Sequence, residues 1–282
     1  MNTFEIQFRL RPIEEITPWG PELHLNHFSL TDGCYWLRCG GSELFRYTQD
    51  VLNSWHSEAI ELGKQYDSFG EPYDAYQLMR LDADLSELLP NAIEPVPQAV
   101  IDSLPLVDSW SRGLPLAPLE IVRALSRQRG KKITDIDDLR DRAIGWWHAR
   151  KMQVMHLRFS PRISIWRVAD QIAIRWDNRE HLYNNTPVWT AIQGELSLPI
   201  STFLNEVVSF RARLTHAMRE RVDQIKSHWP RPDVRIDLNV LEETQRELES
   251  MQGREIFVGN TTDWSDVESA IHELRSLTVE RG

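Results

Sequence analysis

Two cysteines among 282 residues and the absence of any long apolar run remove several protein classes at once. Cys34 and Cys39 are too few for a disulfide framework and cannot by themselves hold a structural zinc. Their odd separation would place them on opposite faces of one strand, so no local disulfide is expected and a reducing compartment is the simpler reading. No stretch of about 18 apolar residues occurs. Met1 to Arg11 alternates charged with apolar residues where a secretion signal needs a continuous apolar segment. The expectation is a cytoplasmic protein with no membrane association. Also missing are the G-x-S-x-G elbow, the phosphate-binding P-loop and the G-x-G-x-x-G turn, so acyl hydrolases and common nucleotide binders lose their usual signatures. His24-x-x-His27 is the one close histidine pair, and on a strand a spacing of three sends the rings to opposite faces. No metal ion and no cofactor is expected.

A concentrated basic surface is lacking too. Lys and Arg total 32 against 42 Asp and Glu, which argues against nucleic acid as a partner, because that binding rests on phosphate neutralisation. One stretch, 123–158, holds ten Lys or Arg against four Asp, and reads as a solvated helix face or an internal counterweight to acidic residues elsewhere.

What is present is acid in one place. Residues 50–108 carry twelve carboxylates against only Lys64 and Arg80, a local charge of −10 that equals the formal charge of the whole chain. Trp55, Tyr66, Phe69, Tyr73, Tyr76 and Trp110 lie in or beside the block. Acid with interleaved aromatics suits capture of a basic protein, since complementary fields speed encounter and aromatic anchors hold the bound state. An ordinary solvated helical face has the same composition.

Along the chain, 41% hydrophobic residues with 9% aromatics can build a sizeable core. Phe4–Leu10 alternates at period two and reads as a strand beside a meander of His24–Leu30, Cys34–Cys39 and Glu43–Tyr47, turned at Asp32-Gly33 and Gly40-Gly41. Pro18-Trp19-Gly20 breaks the opening. Residues 49–89 read as two helices separated near Gly70-Glu71-Pro72, the second with Leu78, Leu81, Leu85 and Leu88 on one stripe and Asp82, Asp84 and Glu87 left to solvent. Pro90 to Pro118 holds six prolines and should be extended or broken into short helices. A helix follows around Asp135–Lys151. Arg162–Val168 and Gln171–Trp176 form a hairpin, which Val188–Ile192 and Glu195–Leu198, turned at Gly194, would extend to four strands. A long helix over Ser201–Trp229 and two shorter ones near Asn239–Met251 and Trp264–Leu277 close the chain. Hairpins grouped apart from helices indicate an α+β fold with antiparallel sheets, read as one domain over 1–282 with halves at 1–118 and 119–282.

Two sets of residues are candidates for function. Asp67, Glu71, Tyr73, Asp74, Tyr76, Asp82, Asp84 and Glu87 would form a partner-binding face. Trp166, Arg167, Arg175, Trp176, Asp177 and Asn178 would cluster on facing strands, either as an Arg–Asp lock between indoles or as the lining of a pocket. The run Phe8-x-Leu10-Arg11-Pro12-Ile13-x-Glu15-Ile16-x-Pro18-Trp19-Gly20, with Leu30-Thr31-Asp32-Gly33-x-Tyr35-Trp36, Trp166-Arg167, Arg175-Trp176-Asp177-Asn178, Pro187-Val188-Trp189-Thr190-Ala191, Gly194 and Phe203-x-x-Glu206-Val207, resembles a bacterial family known only as a domain of unknown function. The resemblance spans most of the chain and carries no catalytic residue. It implies, for some relatives, an immunity role beside secreted toxins. The leading expectation is an immunity protein that neutralises a cognate, basic toxin domain through the acidic face; the rivals are an enzyme with a pocket near the Trp166–Asn178 hairpin, and a scaffold protein.

Overall fold

A computed structural model describes residues 3–18, 23–112, 133–229, 231–252 and 257–279. The expected break at Trp19-Gly20, the prolines at 115 and 118, the boundary at 118 and the basic residues at 123–132 lie outside them.

The first sheet is built on β2 (Asp32–Cys39), which pairs antiparallel with β1 (Phe4–Leu10) on one edge. Its other edge is shared by β3 (Ser42–Leu44), which follows the Gly40-Gly41 turn, and β4 (Ala75–Gln77). Asp32-Gly33, expected as a hairpin turn, is instead the opening of β2. Gly33 stands opposite Leu10, and a Cβ there would approach the Arg9 carbonyl oxygen to 2.6 Å, so glycine permits close strand approach and does not reverse the chain. Residues 24–30 are not a strand either. Asn26 and Ser29 bond each other's backbone, and the Thr31 hydroxyl donates to the Phe28 carbonyl, which holds a 3-10 turn over Ser29–Thr31.

Helix α1 (Gln49–Glu61) comes first, and α2 (Leu78–Ala92) carries the expected leucine stripe, all of it buried, but 62–74 are not helical and 75–77, expected in the second helix, form β4. The proline-rich stretch is broken into α3 (Gln98–Asp102) and α4 (Leu104–Ser111), and α5 (Ile133–His148) follows. The second sheet runs β5 (Ile163–Val168), β6 (Gln171–Asp177), β9 (Gln193–Pro199), all antiparallel. It has three strands. The expected fourth, Val188–Ile192, sends its backbone bonds elsewhere: Thr48 donates to the Val188 carbonyl and Thr190 donates to that of Arg46. A small hairpin of β7 (Leu182–Tyr183) and β8 (Thr186–Pro187) precedes it. The long helix α6 (Ile200–Ser227) has 28 residues and buries Phe203, Val207, Phe210, Leu214, Met218, Val222 and Ile225. Helices α7 (Leu238–Met251) and α8 (Trp264–Val279) complete the described chain.

The period of two in β5 and β6 sorts their residues into two cores. Ile163, Ile165, Ile172, Ile174 and Trp176 face the main core, shared with α6 and the first sheet, where Phe4 meets Phe203 at 5.1 Å. Trp166 and Ala173 face the other way, into a second core with Val107 and Trp110 of α4, Trp147 of α5 and Leu274 of α8. The fold is α+β with antiparallel sheets. Among the described residues no helix is long and apolar enough to cross a membrane.

Candidate functional site

The expected acidic face is mostly engaged within the molecule. Arg11 grips Asp67 with both terminal nitrogens, at 3.2 and 2.6 Å, while its Nε reaches Asp32 at 2.8 Å and its guanidinium lies 4.2 Å over Phe69. Glu71 meets His56 at 2.6 Å. Tyr73 stacks on Trp36 and donates to Glu43. Asp74 accepts from the Tyr47 hydroxyl and from the Arg158 backbone N–H, each at 2.7 Å. Asp82 pairs with Arg211 at 2.6 Å, and Glu87 is exposed. Asp84 is fully buried, against expectation, because it lies three residues after Leu81 and four before Leu88, inside the apolar stripe. It pairs with Arg80 at 2.8 Å, yet burial pushes its carboxyl up to about 6. Beside it, the His156 imidazole is lowered to about 4 by burial and bonds the Tyr35 hydroxyl at 2.6 Å; the Tyr76 ring packs on it at 4.5 Å.

Of the block's carboxylates without an ion pair among the described residues, Asp74, Glu87 and Asp102 lie elsewhere, and Asp50, Glu58 and Glu61 lie on α1, which carries no Lys or Arg. Its C-terminal half forms one wall of a groove of about 590 Å³. Trp55 and Phe159 lie parallel there at 6.0 Å, and Tyr183 sits edge-on to both. The Tyr183 hydroxyl donates to Glu58. Arg158 covers the Trp55 ring at 4.2 Å, and with Lys64 it gives the groove lining two cations of its own. Leu62, which lines the groove, is 66% exposed, and Ile60 elsewhere on α1 is 79% exposed.

The hairpin residues do not cluster as one constellation. Trp166 and Trp176 lie on opposite faces of the sheet, so no indole pair clamps an Arg–Asp lock. Arg167 donates to the Ala169 and Ile93 carbonyls, and buried Asn178 bridges the Ala191 carbonyl and the Arg162 backbone N–H. Arg175 and Asp177, however, share one face and line a pocket of about 310 Å³. The other walls come from places the sequence did not connect: Asp108, Ser111 and Arg112 at the end of α4, Trp147 and Lys151 at the end of α5, Arg162 and Ser164 at the start of β5. Arg112 bridges Asp108 at 2.5 Å and Asp177 at 2.9 Å, and Arg179 also holds Asp177 at 2.7 Å, which keeps the Asp177 carboxyl far below the usual range. Lys151 donates to the Ser111 hydroxyl at 2.9 Å, and burial lowers its pKa.

His27 is buried and bonds Gln245 at 2.9 Å; its partner in the sequence pair, His24, bridges to Arg235 through the backbone. Among the described residues no group of three or more His, Cys, Asp or Glu is placed to hold a metal ion.

Residues 5–270 match a family of unknown function, DUF5984. No curated protein and no solved structure matches the chain.

Proposed function

Since the chain belongs to this family of unknown function, we propose its role from its own geometry: it is a binding protein that docks a basic protein domain on the α1 groove. One observation carries the reading. Leu62 is an exposed apolar side chain in the lining of an aromatic groove, and Ile60 is exposed on α1, whose three carboxylates have no ion pair among the described residues. Apolar and aromatic contact area with an acidic rim is the composition of a protein-binding hot spot for a cationic partner. Arg158 over Trp55 supports it as well, since the groove already accommodates a guanidinium on an indole face.

At finer grain the partner is a toxin domain that acts on nucleic acid, and the chain is its immunity protein. Carboxylates such as Glu58 and Glu61 would stand where substrate phosphates otherwise sit, and occlusion would do the rest. The test is a double variant, Ile60→Arg with Leu62→Arg, measured for binding to the product of the adjacent gene. Both side chains are exposed, so the fold should persist. At least a tenfold loss of affinity is expected, and unchanged affinity would remove the groove from the interface. A parent chain that binds no neighbouring gene product would remove the immunity role.

A further inference from the structure

We propose that the pocket between the end of α4, the end of α5 and the β5–β6 hairpin binds a small phosphate monoester, with Lys151 and Arg175 as its principal contacts. The argument begins with charge. Four cations line the pocket against two carboxylates. Arg112 is satisfied by Asp108 and Asp177, and Arg162 pairs with Glu180 outside the lining at 2.5 Å. The Lys151 ammonium donates to a neutral hydroxyl and has Asp108 near it without an ion pair. The Arg175 side chain has no ion pair or hydrogen bond among the described residues, with exposed Glu195 opposite it in the β6–β9 register.

Two cations without a direct ion pair in a partly enclosed site are costly, and an entering dianion would offset that cost. Burial disfavours the charged form of Lys151, and although Asp108 offsets part of that, Arg162 and Arg112 add to it, so an entering anion would favour the ammonium. The donors around the space suit phosphate. Arg175 supplies a planar fork and Lys151 a point charge. Ser164, directly opposite Arg175 in the β5–β6 register, raises its hydroxyl on the same face, while the Ser111 hydroxyl, donating to the Asp108 carbonyl, holds the Lys151 ammonium in place. At about 310 Å³ the space lies at the small end of small-molecule sites, which suits a phosphate with a short organic chain. None of these residues lines the α1 groove, so the inference does not depend on protein docking.

The experiment is calorimetric titration of the full chain with glycerol 3-phosphate at constant ionic strength, beside succinate as a dicarboxylate and sulfate as a dianion at all working pH. Saturable one-to-one binding of glycerol 3-phosphate is expected. It should strengthen between pH 5.5 and 7.5 as the phosphate takes its second charge near pH 6, a gain sulfate cannot show. Arg175→Gln and Lys151→Gln should each weaken binding at least tenfold while the folded circular dichroism spectrum is retained. No binding by the parent, equal binding by folded variants, or preference for succinate would overturn the assignment. Should either variant fail to fold, the contrast in pH dependence between glycerol 3-phosphate and sulfate on the parent decides the matter.

Discussion

Gly194 stands opposite Trp176 in the β6–β9 ladder, and a Cβ built on it would lie 2.2 Å from the indole ring. The ring is buried in the main core and cannot swing away without displacing its neighbours. Gly194→Ala should therefore cost about 1–3 kcal/mol, and an unchanged denaturant midpoint would show that the ring is free to move. Asp84 offers a test in pH. Folded, it keeps its proton up to about 6, against 3.8 for the free group, so its contribution to stability is complete below the lower value and lost as pH rises through the upper. His156 runs the other way: lowered from 6.5 to about 4, it stabilises above 6.5 and loses that as pH falls. The two slopes oppose each other in the parent. Asp84→Asn removes the carboxyl slope and, because His156 Nδ1 lies 3.5 Å from that carboxyl, leaves the imidazole at least as hard to protonate. The variant should therefore gain on the parent between pH 4.5 and 7.5, by at most about 3 kcal/mol at roughly 1.4 kcal/mol per pKa unit. Urea unfolding at the two pH values measures it, and a constant difference would mean that Asp84 ionises normally.

At the scale of elements, the long helix α6 holds the two sheets together through its apolar stripe, and Phe210 is its test: the ring is fully buried and meets Phe8 edge-on at 5.9 Å. Phe210→Ala should cost about 3–5 kcal/mol by leaving a cavity, read from chemical denaturation. That stripe was legible in the sequence because it repeats from Phe203 to Ile225, over about six turns. The alternation of β5 and β6 was equally plain. Residues 24–30 misled because Asn26, Ser29 and Thr31 can bond their own backbone, a competition that hydrophobic pattern does not report. Gly33 and Gly194 misled because the glycine that turns a chain is the same residue that lets a neighbour come close. The sites were only half legible for a different reason. Asp67 and Asp82 were visible as charges, but their partners Arg11 and Arg211 are 56 and 129 positions away. Arg175 and Asp177 were visible as a pair on a strand, whereas Lys151, Arg112 and Ser164 reach the same pocket only because α4 and α5 pack on that face of the sheet.

Over the whole molecule the charge is uneven twice. It is uneven along the sequence, since 50–108 holds the entire formal −10, and uneven in space, because arginines neutralise Asp67, Asp82, Asp84, Glu94 and Asp108 while α1 keeps its three carboxylates without a cationic partner among the described residues. Reversing Asp74, Asp82 or Asp84 would break the Tyr47 contact, the Arg211 pair or the buried stripe, and so would test folding before it tested binding. Asp50 and Glu61 are the better probes, being exposed and on the proposed docking helix. Exposed charges contribute little to stability but steer a charged partner from a distance. The variant Asp50→Lys with Glu61→Lys should keep the parent's unfolding midpoint and associate with a basic partner at least tenfold more slowly at low salt. Screening over about 10 Å at 0.1 M salt should bring the two rates together as ionic strength rises, while dissociation, governed by Ile60, Leu62 and the aromatic groove, changes little. Stopped-flow association at two ionic strengths separates these contributions. Equal rates at low salt would mean that the acidity of α1 serves solvation alone.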